Sequence, residues 1–317
     1  MNARSTALLL TAILAGTTTL DCQPEAPPPT PLPPWQQREV AIEITGRSKI
    51  PVTIYTPNEV ELRGEVLVLP GWKHERSRWV KQTKLLDHAR AHGFRLILPE
   101  MGVSIYASEY FEETKRKWAP VPGLVFITDY LIPQLQKQGY LTGFNEAISP
   151  LAPPATDRQP LPRLLMGLST GGRGVLQIGL ARPDLWEAAA AFSGDYDQTR
   201  TPKDRLMTAV YGPFEDFEDR WSRVDNPIYA IDNWKIPLYI AHGTKDTVVR
   251  VGESRVLYDT LRATHPNLKV EIETPAMGHD YPFWGDYSLK AFQFFDRILG
   301  PGQKPTDSKP NSQGGTN

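Results

Sequence analysis

Residues 164–174 read "LLMGLSTGGRG", an apolar run that ends in a serine set among glycines. Taken alone, the stretch fits a tight strand-to-helix turn or a turn that presents a nucleophile. Gly167-Leu168-Ser169-Thr170-Gly171 matches G-x-S-x-G. In that pattern a serine on a strained turn exposes its hydroxyl, and bulky neighbours at the glycine positions would collide with it. "RLLMG" reads as a buried strand and "TGGRGVLQIGLARP" (170–183) as a helix. The helix N-terminus favours negative charge developing at the serine.

Working outward, "REVAIEIT" (38–45) and "VTIYTP" (52–57) alternate apolar and polar residues, which predicts an antiparallel hairpin with Gly46 near its turn. "GEVLVLPGW" (64–72) and "FRLILPE" (94–100) carry runs apolar on both faces, the mark of covered parallel strands. "WVKQTKLLDHARAHG" (79–93) has helical spacing and stops at glycine. A helix at about 124–138 contains Pro133, which predicts a kink. Residues 139–162 are rich in Gly and Pro and read as a surface insertion. Downstream, strands are expected at 185–194, 236–243 and 268–274, helices at 252–264 and 286–300, and a cap or long insertion at 195–234. Strands alternating with helices predict one α/β domain, a mostly parallel sheet with helices on both faces and reactive groups at the carboxyl ends of the strands.

A serine hydroxyl needs a base, and the base needs an orienting carboxylate. In this architecture the chain order is serine, acid, histidine. Three histidines follow Ser169. His242 ends a buried strand and reads as a loop residue fixed by hydrogen bonds. His265 lies in a helix-to-strand turn at the opposite end of the sheet. His279, in "PAMGHDYPF", follows the last strand at the correct end and is the expected base. Asp246, in "HGTKD", is the preferred acid. Asp195 and Asp197 in "FSGDYD" are its rivals, with turn formation and capping as their other reading. Acyl transfer also needs oxyanion donors. The backbone N–H groups of Thr170 and of Trp72, in "PGW", are the expected pair.

The 317 residues carry a net charge of −1, with 40% hydrophobic and 22% charged residues. That balance suits a globular core and offers no basic face for nucleic acid. The single cysteine, Cys22, excludes an intramolecular disulfide and a cysteine-built zinc site. "ALLLTAILAG" after Arg4 is too short to span a bilayer and suits the apolar core of a secretory signal at 1–22. Cys22 just after it, followed by a Pro-rich tether (23–37), resembles the lipidation site of bacterial lipoproteins, with Asp21 where that family has a small residue. The expectation is an exported protein, periplasmic or at the cell surface, with two readings of Cys22 open: a lipid anchor, or an ordinary cleaved signal with an incidental cysteine. The catalytic domain is expected at 38–300, and 301–317 as a disordered tail.

"GLSTGGRG", "DYLIPQL", "AFSGDYD", "HGTKD" and "GHDYPFW" followed by the last helix together resemble the α/β-hydrolase fold and, within it, the esterase D-type esterases. That group includes S-formylglutathione hydrolases, feruloyl esterases and mycolyltransferases. The resemblance covers about residues 40–299. It implies Ser169, Asp246 and His279 as the triad and Trp72 and Thr170 as oxyanion donors. Many relatives have His or Asp where this chain has Pro70. The expected activity is hydrolysis of a carboxylic ester, on a small molecule or a polysaccharide, through an acyl-enzyme and with neither metal nor cofactor. Acyl transfer, peptide cleavage and a silent binding protein are the alternatives. Trp118, Tyr211, Phe214, Tyr281, Phe283 and Trp284 fall in expected loops or the cap, with Tyr281 and Trp284 taken as substrate-binding.

Overall fold

A computed structural model describes residues 33–44, 46, 48–112, 120–141 and 160–300. The expected signal, Cys22, Trp118, most of the 139–162 insertion and the tail lie outside the described residues. Strand β1 (Trp35–Glu43) pairs antiparallel with β2 (Lys49–Pro57), and Gly46 sits between them at φ 91°. The strand thus takes in Trp35, Gln36 and Gln37, which the sequence reading had assigned to the tether. Alternation fails to mark them because β1 is an edge strand whose first residues are largely solvated.

β3 (Gly64–Leu69) precedes two short helices, α1 (Arg78–Gln82) and α2 (Leu85–Ala91). The sequence predicts one helix here. Thr83 breaks it: its hydroxyl donates to the Trp79 carbonyl and accepts the Leu85 N–H. The break lies where Gly285 crosses, since a Cβ there would come within 2.9 Å of Thr83 Cβ. β4 (Phe94–Pro99) follows. The helix around Pro133 is α3 (Gly123–Val125), a π-helical turn over Phe126–Leu131, then α4 (Ile132–Lys137). The predicted kink is therefore a π-bulge, which absorbs the hydrogen bond that proline cannot make.

The remaining elements are β5 (Arg163–Leu168), α5 (Thr170–Ala181), β6 (Ala188–Phe192), α6 (Arg205–Tyr211), α7 (Glu218–Arg223), β7 (Leu238–Ala241), α8 (Gly252–Thr264), β8 (Val270–Glu273) and α9 (Tyr281–Leu299). All eight strands form one sheet in the order β1-β2-β4-β3-β5-β6-β7-β8, and β3 to β8 are parallel. The order reverses between β3 and β5, so the loops after those two strands face each other across the switch point where α/β proteins place their ligands.

Side chains on each central strand alternate between two cores. Val66, Val68, Leu164, Met166 and Leu168 pack with Trp79, Phe283, Trp284 and Phe292. Leu67, Leu69 and Leu165 pack with Val175, Ile178, Leu257 and Leu261. The alanines of β6 let the glycine-rich α5 come close. A Cβ on Gly172 would stand 2.6 Å from the Phe192 carbonyl oxygen. Residues 195–234 form a long insertion of short helices around Met207, Val210, Tyr211 and Trp221. No helix among the described residues is long and apolar enough to cross a membrane.

Candidate active site

Ser169 lies between β5 and α5 with φ 55° and ψ −123°. A left-handed φ is rare for a residue with a Cβ and costs on the order of 1–3 kcal/mol, so its surroundings must impose it. They do so through backbone contacts. The Ser169 N–H donates to the Phe192 carbonyl at 2.8 Å, and the Arg173 N–H to the Ser169 carbonyl at 3.1 Å. A Cβ on Gly167 would meet the Gly171 carbonyl oxygen at 2.4 Å, and one on Gly171 the Leu69 carbonyl oxygen at 2.6 Å. Both glycines of the motif are therefore sterically required, in addition to the turn they allow.

The loop after β3 closes over the serine. A Cβ on Gly71 would lie 2.7 Å from Leu168 Cδ1 and 3.2 Å from Ser169 Cβ. Trp72 is the next residue. Thr170 is the first residue of α5, and the helix offers no acceptor for its N–H. The two expected oxyanion donors thus flank the nucleophile from the two sides of the switch point.

His279 Nε2 is 3.1 Å from Ser169 Oγ, and His279 Nδ1 is 2.6 Å from Asp246 Oδ2. Asp246 also accepts the N–H groups of Val248 and Val249 on Oδ1, both at 2.9 Å. A carboxylate on Nδ1 fixes the proton there and leaves Nε2 free to accept from the serine. The loops that carry the pair are zipped by backbone bonds. The Thr244 N–H donates to the Pro275 carbonyl at 2.7 Å, and the Lys245 N–H to the Met277 carbonyl at 2.9 Å. Burial alone would raise the Asp246 pKa. Hydrogen bonds from His242, His279 and the Val249 N–H outweigh it and hold the carboxyl below the usual range. Asp246 is ionised at any working pH.

The rival acids have other partners. Asp195 pairs with the fully buried Arg173 guanidinium at 2.9 Å. Asp197 accepts the Thr199 N–H and caps a short turn. His265 bonds the Ile231 carbonyl away from the site.

Tyr281 and Trp284 require a correction. They stand in the first turns of α9, not in a loop, and are 4% and 1% exposed. "YPFW" reads as loop because of its proline. Yet Asp280 caps the helix by accepting the Phe283 N–H at 3.0 Å, and Pro282 fits the first turn. Phe283, in the same helix, and Tyr211 are fully buried as well. Instead of lining a substrate surface, Trp284 sets its ring edge-to-face against His279, centroids 4.9 Å apart, and donates its indole N–H to Ser193.

Two contacts escaped the sequence reading. His74, three residues after Gly71, packs against Trp284, and its Nδ1 is 3.0 Å from the Tyr281 hydroxyl. Burial, followed by the charge of Arg78, pushes its pKa down to about 4. Burial also pushes the Tyr281 phenol up to about 12, so Tyr281 donates and a neutral His74 accepts on Nδ1. His242 touches Asp246 four residues on, at 3.3 Å. The "GWKH" and "HGTKD" spacings carry both, but neither is a triad position.

Residues 162–300 match the model of the prolyl oligopeptidase family. No curated protein matches the chain. Among solved structures, an S-formylglutathione hydrolase from Agrobacterium tumefaciens aligns with TM-score 0.64 and 16% identity, over 84% of this chain and 96% of that one. The substrate-bound fluorophosphonate-binding serine hydrolase F of Staphylococcus aureus gives 0.62 and 16%, over 85% and 100%. A ferulic acid esterase gives 0.56 and 18%, over 84% and 100%. The fold is that of the α/β-hydrolases, as the sequence motifs imply.

Proposed function

We propose that the protein is a serine hydrolase that cleaves a carboxylic ester through an acyl-enzyme on Ser169. The observation that carries this reading is the line Ser169 Oγ–His279 Nε2 at 3.1 Å and His279 Nδ1–Asp246 at 2.6 Å. Ser169 Oγ attacks the ester carbonyl while its proton passes to His279 Nε2. Asp246, ionised throughout, stabilises the imidazolium and keeps its tautomer. The oxyanion is held by the N–H groups of Thr170 and Trp72. His279 then protonates the leaving alcohol, the C–O bond breaks, and water activated by His279 releases the acid.

An apolar acyl group is the expected acyl part, because Trp72, whose N–H is the second oxyanion donor, packs against the apolar cluster of Ile105, Met207, Val210, Tyr211 and Trp221. Esters of longer acyl chains are expected to react with the lower KM. We also place the protein outside the cytoplasm, tethered through Cys22. That part rests on the signal-like 1–22 segment and is tested by fatty-acid labelling of the wild type against Cys22→Ala. Equal labelling, or none, ends it.

A fluorophosphonate probe tests the central reading. Wild-type protein is expected to be labelled and Ser169→Ala not. No label on the wild type sinks it. The match of residues 162–300 to the prolyl oligopeptidase family favours a second reading, peptide cleavage by the same triad. Turnover of proline-containing peptide amides, with no turnover of aryl esters, would replace the first by the second.

A further inference from the structure

The hydrogen-bonded line does not end at Asp246. His242 is fully buried at the end of β7. Its Nε2 lies 2.9 Å from the Val249 carbonyl oxygen and 3.3 Å from Asp246 Oδ2, the same oxygen that holds His279. Both neighbours are acceptors, so Nε2 carries the proton. Nδ1 lies 2.7 Å from Ser254 Oγ, so a neutral ring accepts the Ser254 hydroxyl there. Ser254 is itself fully buried in α8. A side chain needed only to fill space at this point would carry no pair of opposed polar atoms.

We infer that His242 is a positioning residue for the triad: its Nε2–H holds Asp246 Oδ2 opposite His279, and Ser254 holds the ring that does so. The inference rests on the serine-hydrolase reading. Without the His242 donor, Asp246 keeps the two backbone N–H groups on Oδ1 but loses a lateral restraint on Oδ2. Its carboxylate stays in contact with His279 but can rotate about the Oδ1 anchor, so the ring is held less firmly on the line to Ser169 Oγ. Its charge is also less compensated, which stabilises the His279 imidazolium and moves the acid limb of activity to higher pH.

The other ionisable groups nearby are few. Asp246 faces the ring directly, and His279 shares the same Asp246 oxygen. Tyr196, from the segment after β6, lies beside Ser254, and burial holds its phenol well above the usual range, so it stays protonated throughout the assay. Glu253, next to Ser254 on α8, faces Arg200, with Asp195 and Asp197 beyond. The Glu253 carboxyl is raised by its own burial, so it is recorded as a control by Glu253→Gln.

The test uses the full-length protein and p-nitrophenyl acetate, with fluorophosphonate labelling run first. His242→Leu removes both ring nitrogens. His242→Gln keeps an N–H close to the position of Nε2. The leucine variant is expected to lose roughly 10- to 100-fold in kcat with KM within about two-fold, and its acid limb to rise by roughly half a pH unit. The glutamine variant is expected to recover most of kcat and the wild-type limb. If both variants behave as wild type, or if both lose kcat equally with the wild-type pH profile, the positioning role is wrong. If His242→Leu does not fold, Ser254→Ala decides by the same two readouts: a lowered kcat with a raised limb supports the role, and an unmoved limb overturns it. Failure of wild-type labelling would reject the hydrolase reading itself, which separates the two outcomes.

Discussion

The two halves of the site are built by different means. On the elbow side, Ser169 is held by backbone packed against backbone, with Gly167 and Gly171 at distances that admit no Cβ. On the return side, apart from the tight Gly243, the last step is a set of side-chain hydrogen bonds converging on one carboxylate. Close packing is all-or-none, because an added atom overlaps something that cannot move. Hydrogen bonds grade, because the side-chain donors His242 and His279 can be removed singly. The nucleophile's position should therefore be brittle and the base's orientation adjustable.

The sharpest break is chemical. Ser169→Ala is expected to remove ester turnover by about 10⁴-fold or more, since the residual rate comes only from binding and the oxyanion donors. Thermal stability should change little, because alanine keeps the Cβ and its left-handed strain and loses only the hydroxyl with its bond to His279. A variant that still turns over the ester at a tenth of the wild-type rate would remove Ser169 from the mechanism.

Next is Asp246→Asn, expected to cost about 10³- to 10⁴-fold in kcat by favouring the wrong His279 tautomer. The same group governs acid stability. Its folded pKa lies below the unfolded value of about 3.9, so its contribution is complete above that pH. It is lost as the pH falls from there toward the depressed folded value. Unfolding midpoints between pH 5 and 2 should fall more steeply for the wild type than for the variant. Equal slopes would show that Asp246 is not the stabilised carboxylate. Asp197→Asn, as its pair, should leave kcat nearly unchanged.

Gly171→Ala probes the brittle half. Its Cβ would meet the Leu69 and Pro70 carbonyl oxygens at 2.6 and 2.7 Å, so the β3 loop or α5 must shift. The expected cost is about 1–3 kcal/mol of stability, with kcat down roughly 10²-fold as the elbow and oxyanion loop part. Wild-type activity in this variant would show that the loop after β3 has no fixed relation to the serine.

The difference between the halves also explains what was legible in the sequence. The elbow writes itself in consecutive residues: glycines at fixed offsets from a serine, between a buried strand and a helix. The central strands were equally readable, because each is a run apolar on both faces. Chain order and strand ends favoured Asp246 and His279, but Asp195 and Asp197 also sit past a predicted strand, and only contacts in space set them apart from the carboxylate that meets His279. Tyr281 and Trp284 could not be placed, because the proline that signals a loop also begins a helix, and only the Asp280 cap decides between them. The break at Thr83 depends on Gly285, some two hundred residues away, which no local pattern records. His242 and His74 matter through contacts made in space, and their spacing names no role.

His74 gives the smallest and most specific effect. It is neutral in the folded protein, with its pKa near 4 against an ordinary value of 6.5. Between those pH values the unfolded chain binds a proton that the folded one refuses. Stability attributable to this group therefore falls as the pH drops from about 6.5 to about 4, and is unaffected above that window. His74→Asn keeps an acceptor for the Tyr281 hydroxyl but has nothing to protonate. Its unfolding midpoint should decline less than that of the wild type across this window, while kcat/KM at pH 7 changes by roughly three-fold at most, the scale of one hydrogen bond. Hydrogen-bonded support around His279 would then be adjustable in fact. If His74→Asn instead abolished activity, the loop after β3 would have to supply chemistry to the substrate in addition to packing over Ser169.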